Sequence, residues 1–342
     1  MKIRFDKYFL FIFLLLTALI GACVPSVGSF PKQHLKFPPA DYNAVVIVGD
    51  KLVALSYGDR FDGYWLYAFE NDEKLRKIEF EDDSNCESVD YVGYDAFPDG
   101  RLQLWEYCRT SEGVDAFLLA YDWRTEQIER IFGPLPRGWS SASWNPDQTR
   151  AIAFLDNGFS SGTLYWLWKG GFEPIDIIVG NSERSWNLKD DFPAFVGASN
   201  GETGNTGRAA WAPDGSSIAF FASPAAIGKT GSERFYVDYN LYTLKANEFQ
   251  PKQVLTQIYF PNLILWSPNS KFIVFESNYP TIKQHGLWIY SIASQSVIKI
   301  AVGKFVPYTW TSDGNSLVAL GCSEDLYCSE VVRFDLTSLM NP

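Results

Sequence analysis

The sequence predicts an all-β fold, and three features indicate this. A turn phrase recurs along the chain, most completely as WAPDG at residues 211–215. A short and almost wholly apolar segment follows it at residues 217–220, as expected for a strand that is covered on both faces. Aromatic residues make up 16% of the chain, and their side chains suit pleated, half-buried surfaces. Because 46% of the 342 residues are hydrophobic and 20% are charged, the chain can bury a sizeable core.

The repeated turns are spaced as in a β-propeller. The acidic or amide residue of the turn recurs six times, at intervals of 44 to 67 residues: Asp50, Asp99, Asp147, Asp214, Asn269 and Asp313. Periods of about 40 to 50 residues with four short strands each are typical of propeller blades. In the most complete copy, Pro213 sets φ for a turn, Asp214 bonds its own backbone and Gly215 accepts a left-handed conformation. The sequence therefore predicts a six-bladed β-propeller of four-stranded antiparallel blades.

These repeats resemble those of TolB-type, WD40-like propellers, whose signature is Trp-Ser-Pro-Asp-Gly before a short apolar strand. The resemblance covers about residues 41 to 342, and several copies depart from the signature. Val48-Gly49-Asp50 lacks both Trp and Pro, Phe97 replaces Trp, Gln148 replaces Gly, Asn269-Ser270 replaces Asp-Gly, and Ser312 replaces Pro. The family includes periplasmic partner-binding proteins and the propeller domains of some peptidases, so the resemblance implies an architecture more than an activity.

The N terminus has the features of an export signal. Lys2, Arg4 and Lys7 precede an apolar run at residues 8–20, which is too short to span a bilayer. Ile20-Gly21-Ala22-Cys23 resembles the bacterial lipobox, whose cysteine is acylated and becomes the first mature residue. Several acyl chains on Cys23 would hold the protein stably on a membrane. The resemblance implies a lipid-anchored envelope protein on the exported side, at the outer membrane if the organism has one. An ordinary secretory signal that happens to contain a cysteine is the alternative.

The last repeat has too few strands. After its inner hairpin it supplies one outer strand, at residues 331–335, so we expect an N-terminal strand near Leu35 to Ile47 to close the ring. We therefore divide the chain into a signal peptide at 1–22, a lipidated N terminus and tether at 23–40, and the propeller at 41–342.

The charge of the chain excludes one class of partner. Removal of residues 1–22 takes away three basic residues and one acidic residue, so the formal net charge changes from −11 to −13. Such a surface repels nucleic acid. We expect no nucleic-acid partner.

Antiparallel blades place their connections on two faces. The short-turn face carries the turns from strand one to two and from three to four, and the long-loop face carries the remaining connections. Insertions at residues 180–208 and 222–239 fall on the long-loop face, and loops of this length are often functional. Arginine and aromatic residues favour interfaces. The predicted partner-binding residues are Arg184, Trp186, Arg208, Arg234, Phe235, Tyr236 and His285. A tolerated surface insertion is the alternative, as is a solvated turn for His285.

Four cysteines follow Cys23, and an exported chain with an even number is expected to oxidise them. Cys86 and Cys108 both fall on the long-loop face of adjacent blades, and Cys322 and Cys328 bracket the corresponding connection in the last blade. The pairs Cys86–Cys108 and Cys322–Cys328 are the ones that need no long reach. Metal ligation is disfavoured because no Cys-x-x-Cys pair occurs.

No set of catalytic residues stands out. The stretch at 158–162, GFSSG, matches a hydrolase nucleophile pattern, but it lies between strands, and only His34 and His285 could act as its base. The acidic stretch at 81–85 lacks the spacing of a calcium loop. We therefore expect no metal or cofactor, and a monomeric binding module for a protein or peptide partner. The alternatives are a glycan-active hydrolase or lyase working through carboxylates such as Asp59, Asp62 or Asp156, and a carbohydrate-binding propeller.

Overall fold

The computed structural model describes most of the chain from residue 26 onward. The described residues are 26–27, 30–38, 40–48, 51–57, 65–70, 75–79, 85–136, 138–156, 162–175, 178–180, 185–187, 209–222, 238–248, 250–259, 261, 263–281, 283–323 and 327–340. They form an all-β propeller, as predicted. One four-residue helix, α1 (Thr337–Met340), follows the last strand.

Three separate four-stranded antiparallel sheets come first, and in each of them every strand pairs with the next one along the chain. Two short strands precede them, β1 (Ser26–Val27) and β2 (Lys32–His34). The first sheet comprises β3 (Ala44–Val48), β4 (Lys51–Tyr57), β5 (Trp65–Glu70) and β6 (Leu75–Glu79). The second sheet comprises β7 (Ser88–Ala96), β8 (Leu102–Thr110), β9 (Gly113–Asp122) and β10 (Gln127–Pro136). The third sheet comprises β11 (Trp139–Trp144), β12 (Arg150–Asp156), β13 (Gly162–Trp168) and β14 (Gly171–Pro174).

A two-stranded sheet, a nine-stranded sheet and a further four-stranded sheet follow. The two-stranded sheet pairs β15 (Ile178–Gly180) with β16 (Ser185–Asn187). The nine-stranded sheet is called the long sheet. Its front half comprises β17 (Ala209–Trp211), β18 (Ser217–Ala222), β19 (Asp238–Lys245) and β20 (Lys252–Tyr259). Its rear half comprises β21 (Ile264–Trp266), β22 (Phe272–Asn278), β23 (His285–Ser291) and β24 (Val297–Val302), with β1 added in parallel at the outer edge. The last sheet comprises β25 (Phe305–Trp310), β26 (Ser316–Cys322), β27 (Cys328–Asp335) and β2.

This arrangement differs from six separate blades. Within the described ranges there are four separate four-stranded sheets, and the two halves of the long sheet are joined. The junction is a single residue pair, Tyr259 of β20 with Asn278 of β22. Both residues end their strands at the long-loop face, where neighbouring strand ends meet.

An N-terminal strand completes the last sheet, but it is not the predicted one. Strand β2 pairs antiparallel with β27, with Lys32 opposite Phe334 and His34 opposite Val332. It therefore lies before the predicted region, Leu35 to Ile47. The apolar segment Ala44–Val48 is instead the inner strand of the first sheet, where Ala44, Val45 and Val46 are buried. An apolar segment suits that covered position, whereas the exposed Lys-Gln-His segment suits an outer edge.

The hydrophobic core lies between the sheets. Six clusters of buried side chains among the described residues each combine two neighbours around the ring. They join the first and second sheets (Leu55, Leu104), the second and third (Trp105, Trp139), the third and the front half (Phe154, Phe220), the two halves (Phe221, Phe275), the rear half and the last sheet (Val274, Leu317), and the last and first sheets (Val318, Val45). The last of these connects the end of the chain to its beginning, so the stack of sheets is circular.

The repeated turn has the predicted chemistry at each of its five described copies. A side-chain oxygen accepts the backbone N–H two residues later, at 2.9 to 3.1 Å, in Asp99, Asp147, Asp214, Asn269 and Asp313. The next residue has a positive φ in every copy: Gly100, Gln148, Gly215, Ser270 and Gly314. Gln148 and Ser270 therefore adopt the left-handed conformation without being glycine.

Candidate functional site

The predicted partner-binding residues are only partly covered by the structure. Arg184, Arg208, Arg234, Phe235 and Tyr236 lie outside the described residues, as do Cys23 and the carboxylates Asp59 and Asp62. For Trp186 and Asp156 the structure describes the strand position and not the side chain, with Trp186 opposite Val179 in the two-stranded sheet. His285, the first residue of β23, is described in full.

His285 lies beside a buried carboxylate. Glu276 of β22 is only 2% exposed, and one of its carboxylate oxygens contacts Nε2 of His285, whose side chain is 33% exposed. A buried carboxyl group needs a polar neighbour, and Nε2 of His285 is the atom that contacts it. His285 therefore connects the surface of the long-loop face to a buried acidic side chain of the sheet stack.

A second buried glutamate occupies the same position of another repeat. Glu106 follows Asp99 by seven residues, as Glu276 follows Asn269. Its Oε1 accepts a hydrogen bond from Arg130 at 2.6 Å, and its Oε2 accepts one from Tyr91 at 3.3 Å. Neither glutamate was predicted from the sequence, because a single acidic residue within an apolar strand resembles any solvent-facing charge. The signal that could have found them is the shared spacing from the turn.

Both predicted disulfides are confirmed, and both lie at the long-loop face. Cys86 and Cys108 have their sulfur atoms 2.05 Å apart and their Cα atoms 5.3 Å apart. The second pair, Cys322 with Cys328, joins the facing ends of β26 and β27. Cys328 also contacts the segment that leads into the first sheet, because Tyr42 N–H donates to its carbonyl at 2.8 Å and its own N–H donates to Asp41 at 3.1 Å.

An exposed aromatic side chain stands beside the second disulfide. Tyr327, immediately before Cys328, is 47% exposed. Two hydrogen bonds with Ser323 fix its backbone, one from Ser323 N–H to the Tyr327 carbonyl at 2.8 Å and one from Tyr327 N–H to the Ser323 hydroxyl at 3.3 Å. Tyrosines presented in this way are common anchors of protein interfaces. No sequence pattern distinguishes Tyr327 from the other 17 tyrosines.

A cavity opens on the opposite, short-turn face, between the first and second sheets. Its volume is about 360 Å³. The lining combines an apolar wall with charged groups at two turns: Ile47, Ala96, Phe97, Pro98, Asp99, Gly100, Arg101, Asp122, Trp123 and Arg124. No site was predicted on this face from the sequence.

The described part of the chain contains neither a cluster of metal-binding side chains nor a membrane-spanning helix. No group of three or more His, Cys, Asp or Glu side chains is placed to hold a metal ion there. Among the same residues, no helix has the length and apolar character needed to cross a membrane.

Comparison with known proteins identifies the fold alone. No protein-family model matches the sequence, and no curated protein does. TolB from Acinetobacter baumannii is similar in structure, with a TM-score of 0.50 and 12% identity over 87% of this chain and 65% of that one. A puromycin hydrolase variant gives a TM-score of 0.51 with 16% identity over 92% of this chain and 46% of the hydrolase. An oligogalacturonate lyase gives 0.48, with 12% identity over 92% and 98% of the two chains. The chain thus has the all-β propeller fold of TolB-like proteins.

Proposed function

We propose that this chain is a lipid-anchored binding protein of the bacterial envelope, whose propeller holds a protein or peptide partner on its long-loop face. We further propose that the two halves of the long sheet are separate blades, which gives six. Two observations support that count. Each half has four strands of its own, and only one residue pair joins them. There are also six clusters of buried side chains around the ring in the described residues.

The main support for the proposed site is that covalent and polar contacts are concentrated at the long-loop face. Both disulfides, the Tyr259 to Asn278 pair between the halves of the long sheet, and the Glu276 to His285 contact all lie at this end of the strands. A surface that is fixed before binding loses less conformational entropy when a partner docks. The short-turn face shows no covalent bracing among the described residues.

Tyr327 and His285 are the described side chains that would meet such a partner. They lie at the long-loop ends of the last sheet and of the rear half, which are neighbours in the ring. Tyr327 offers an exposed ring for burial, and His285 offers a polar edge beside an internal charge. This combination of an aromatic anchor and polar surroundings is typical of protein interfaces.

Site-specific photocrosslinking in intact cells tests the binding face. A photoreactive benzoylphenylalanine replaces Tyr327 in one variant and Ser294 in the other, since Ser294 is also exposed but lies on the short-turn face. We expect one discrete adduct from position 327, a lower yield when His285→Ala is added, and none from position 294. Adducts from position 294 alone, or equal adducts from both positions, would show that the long-loop face is the wrong one.

Labelling with radioactive palmitate tests the anchor. We expect the label to enter the wild-type protein and to be absent from Cys23→Ser, which should appear in the soluble fraction after export. Label retained by Cys23→Ser, or a wild-type protein that washes off the membrane in high salt, would remove the lipid anchor from the proposal.

A further inference from the structure

The negative charge of the chain is distributed unevenly. From residue 23 onward the sequence contains 26 basic and 39 acidic residues. Residues 24–40 and 249–312, called the basic segments, contain seven lysines and a single acidic residue, Glu276, so their formal net charge is +6. The other residues have 19 basic and 38 acidic side chains and a net charge of −19. Since Glu276 is only 2% exposed, the basic segments present no acidic side chain to solvent.

The fold gathers the basic segments on one side of the ring. Strand β20 is the outer strand of the front half, and β24 with β1 forms the outer edge of the rear half. Strand β2 forms the outer edge of the last sheet. The front half, the rear half and the last sheet are consecutive neighbours around the ring. The outer edge formed by β20, β24, β1 and β2 is called the basic rim.

The basic rim carries exposed lysines beside exposed apolar side chains. Lys252 begins β20, Lys32 lies on β2 and Lys36 lies two residues beyond β2, and all three are exposed. Ile292, in the hairpin between β23 and β24, is 36% exposed, and Val302, at the end of β24, is 71% exposed. Lysines and apolar side chains on one surface are typical of segments that lie in the headgroup region of a membrane.

The residue proposed to carry the lipid is close to this rim in sequence and therefore in space. Ser26 of β1 is the third residue after Cys23, and three residues span at most about 11 Å. Acyl chains on Cys23 would therefore keep the edge of β24, with which Ser26 pairs, close to the lipid headgroups. Basic residues strengthen such an anchor at an anionic membrane surface, by about fivefold in affinity for each lysine.

We propose that the basic rim is the side of the propeller that contacts the headgroups of anionic phospholipids. The inference rests on the proposed function for the anchor at Cys23, and it adds the direction in which the propeller is held. The ring stands on its edge, so the short-turn face and the long-loop face are both upright on the bilayer and open to partners. The strongly acidic remainder of the surface points away from the anionic lipid.

Fluorescence quenching on vesicles tests this orientation without acylation. The full mature chain carries a hexahistidine tag in place of Cys23, and a nickel-chelating lipid holds it on phosphatidylcholine vesicles with or without phosphatidylglycerol. A fluorophore is attached to Ile292→Cys or to Ile128→Cys, and a nitroxide on the lipid headgroups quenches it. Ile128 is the matched control because it is 37% exposed and lies on β10 of the second sheet, on the far side of the ring from the rear half.

On vesicles that contain phosphatidylglycerol, we expect loss of fluorescence at residue 292 and little loss at residue 128. The loss at residue 292 should disappear without phosphatidylglycerol, and also in about 1 M salt, where charges are screened within about 3 Å. Lys36→Glu combined with Lys252→Glu should lower the ratio of docked to undocked chains at least about tenfold, because each lysine contributes about fivefold. The matched control, Lys77→Glu with Lys169→Glu, makes the same charge change at exposed positions of the first and third sheets and should leave the quenching unchanged.

Three results would overturn the proposal. They are equal quenching at residues 292 and 128, quenching at residue 292 that does not depend on phosphatidylglycerol, or equal effects of the two pairs of lysine substitutions. Because the tag replaces acylation, the absence of palmitate label at Cys23 would not alter these measurements. The lipid anchor and the orientation of the propeller can therefore fail separately.

Discussion

Trp144 of the third sheet donates its indole N–H to Gln103 Oε1 of the second sheet at 2.9 Å, and Gln103 Nε2 donates to the Ala142 carbonyl at 3.0 Å. Gln103 is fully buried. One amide therefore satisfies two polar groups of the neighbouring sheet.

Replacement of Gln103 by leucine should destabilise the protein by about 3 kcal/mol, because the half-buried N–H of Trp144 and the buried carbonyl of Ala142 would each lose their partner. Urea denaturation measures the change in the free energy of unfolding. Gln127→Leu, at an exposed position of the same sheet, is the control and should change stability by less than about 0.5 kcal/mol. Similar values for the two variants would contradict the role of the amide.

Gln148→Gly should stabilise the protein by about 1 kcal/mol. Gln148 has a φ of 57°, and a left-handed conformation costs a residue with a side chain about 1 to 2 kcal/mol. Ser270→Gly, at the same turn position with a φ of 55°, should gain much less, because the Ser270 hydroxyl accepts the Asp214 N–H at 3.2 Å. Thermal unfolding of the two variants separates the effects, and a larger gain for Ser270→Gly would be inconsistent with this account.

Removal of the disulfides should destabilise the chain to different extents. In the chain-entropy model, a bridge that closes a loop of 22 residues contributes about 3 kcal/mol, and one that closes 6 residues contributes about 2 kcal/mol. We expect the double variant Cys86→Ser, Cys108→Ser to lose more stability than Cys322→Ser, Cys328→Ser. Hydrogen exchange provides a second readout. The Cys322 variant should raise exchange at the Tyr42 amide, which bonds to Cys328, and the Cys86 variant should not.

The free energy of unfolding should decrease in acid because the aspartates of the repeated turns become protonated. The hydroxyl and N–H of Thr149 lower the pKa of Asp147, and the Thr311 hydroxyl and the Asn315 N–H lower that of Asp313. A carboxyl group whose pKa is lower in the folded chain contributes stability above its unfolded value, 3.8, and the contribution is lost as pH falls through the folded value.

Denaturation between pH 7 and pH 2.5 measures this dependence. The double variant Asp147→Asn, Asp313→Asn should show a shallower decline below about pH 4 than the wild type. Conversely, Asn269→Asp places a titrating group in a turn that now has an amide, and it should make the decline steeper. Identical pH profiles for all three proteins would show that other groups dominate the acid response.

The repeated features of the fold could be predicted from the sequence because they depend on local chemistry. The turn at Asp214 and Gly215 depends only on the conformational preferences of those residues. The same local chemistry predicted the side-chain to backbone hydrogen bonds in all five described copies of the turn. The disulfide pairing followed from the alternation of strand direction, since this alone places Cys86 and Cys108 at the same end of their sheets. The all-β class followed from these features together.

The features that were not predicted depend on contacts between distant segments. Lys32–His34 forms a polar, exposed edge strand, so it has no apolar periodicity that would indicate a strand. The pair between Tyr259 and Asn278 depends on where two strand ends meet in space. The cavity lined by Ile47, Asp99 and Asp122 depends on which turns lie close together in space, so no single stretch of sequence predicts it.

Closure of the ring also determines when folding can finish. Gln33 and Arg333 pair in the last sheet although 300 residues separate them in sequence. Such non-local pairing requires a large loss of chain entropy before any contact is gained, and it slows folding. The early hairpins can form one after another during synthesis. The pairing of β2 with β27, which completes the last sheet, can form only after the C-terminal residues have been made. A chain truncated before residue 328 lacks β27 (Cys328–Asp335), so the edges of β2 and β26 would stay unpaired and open to other chains.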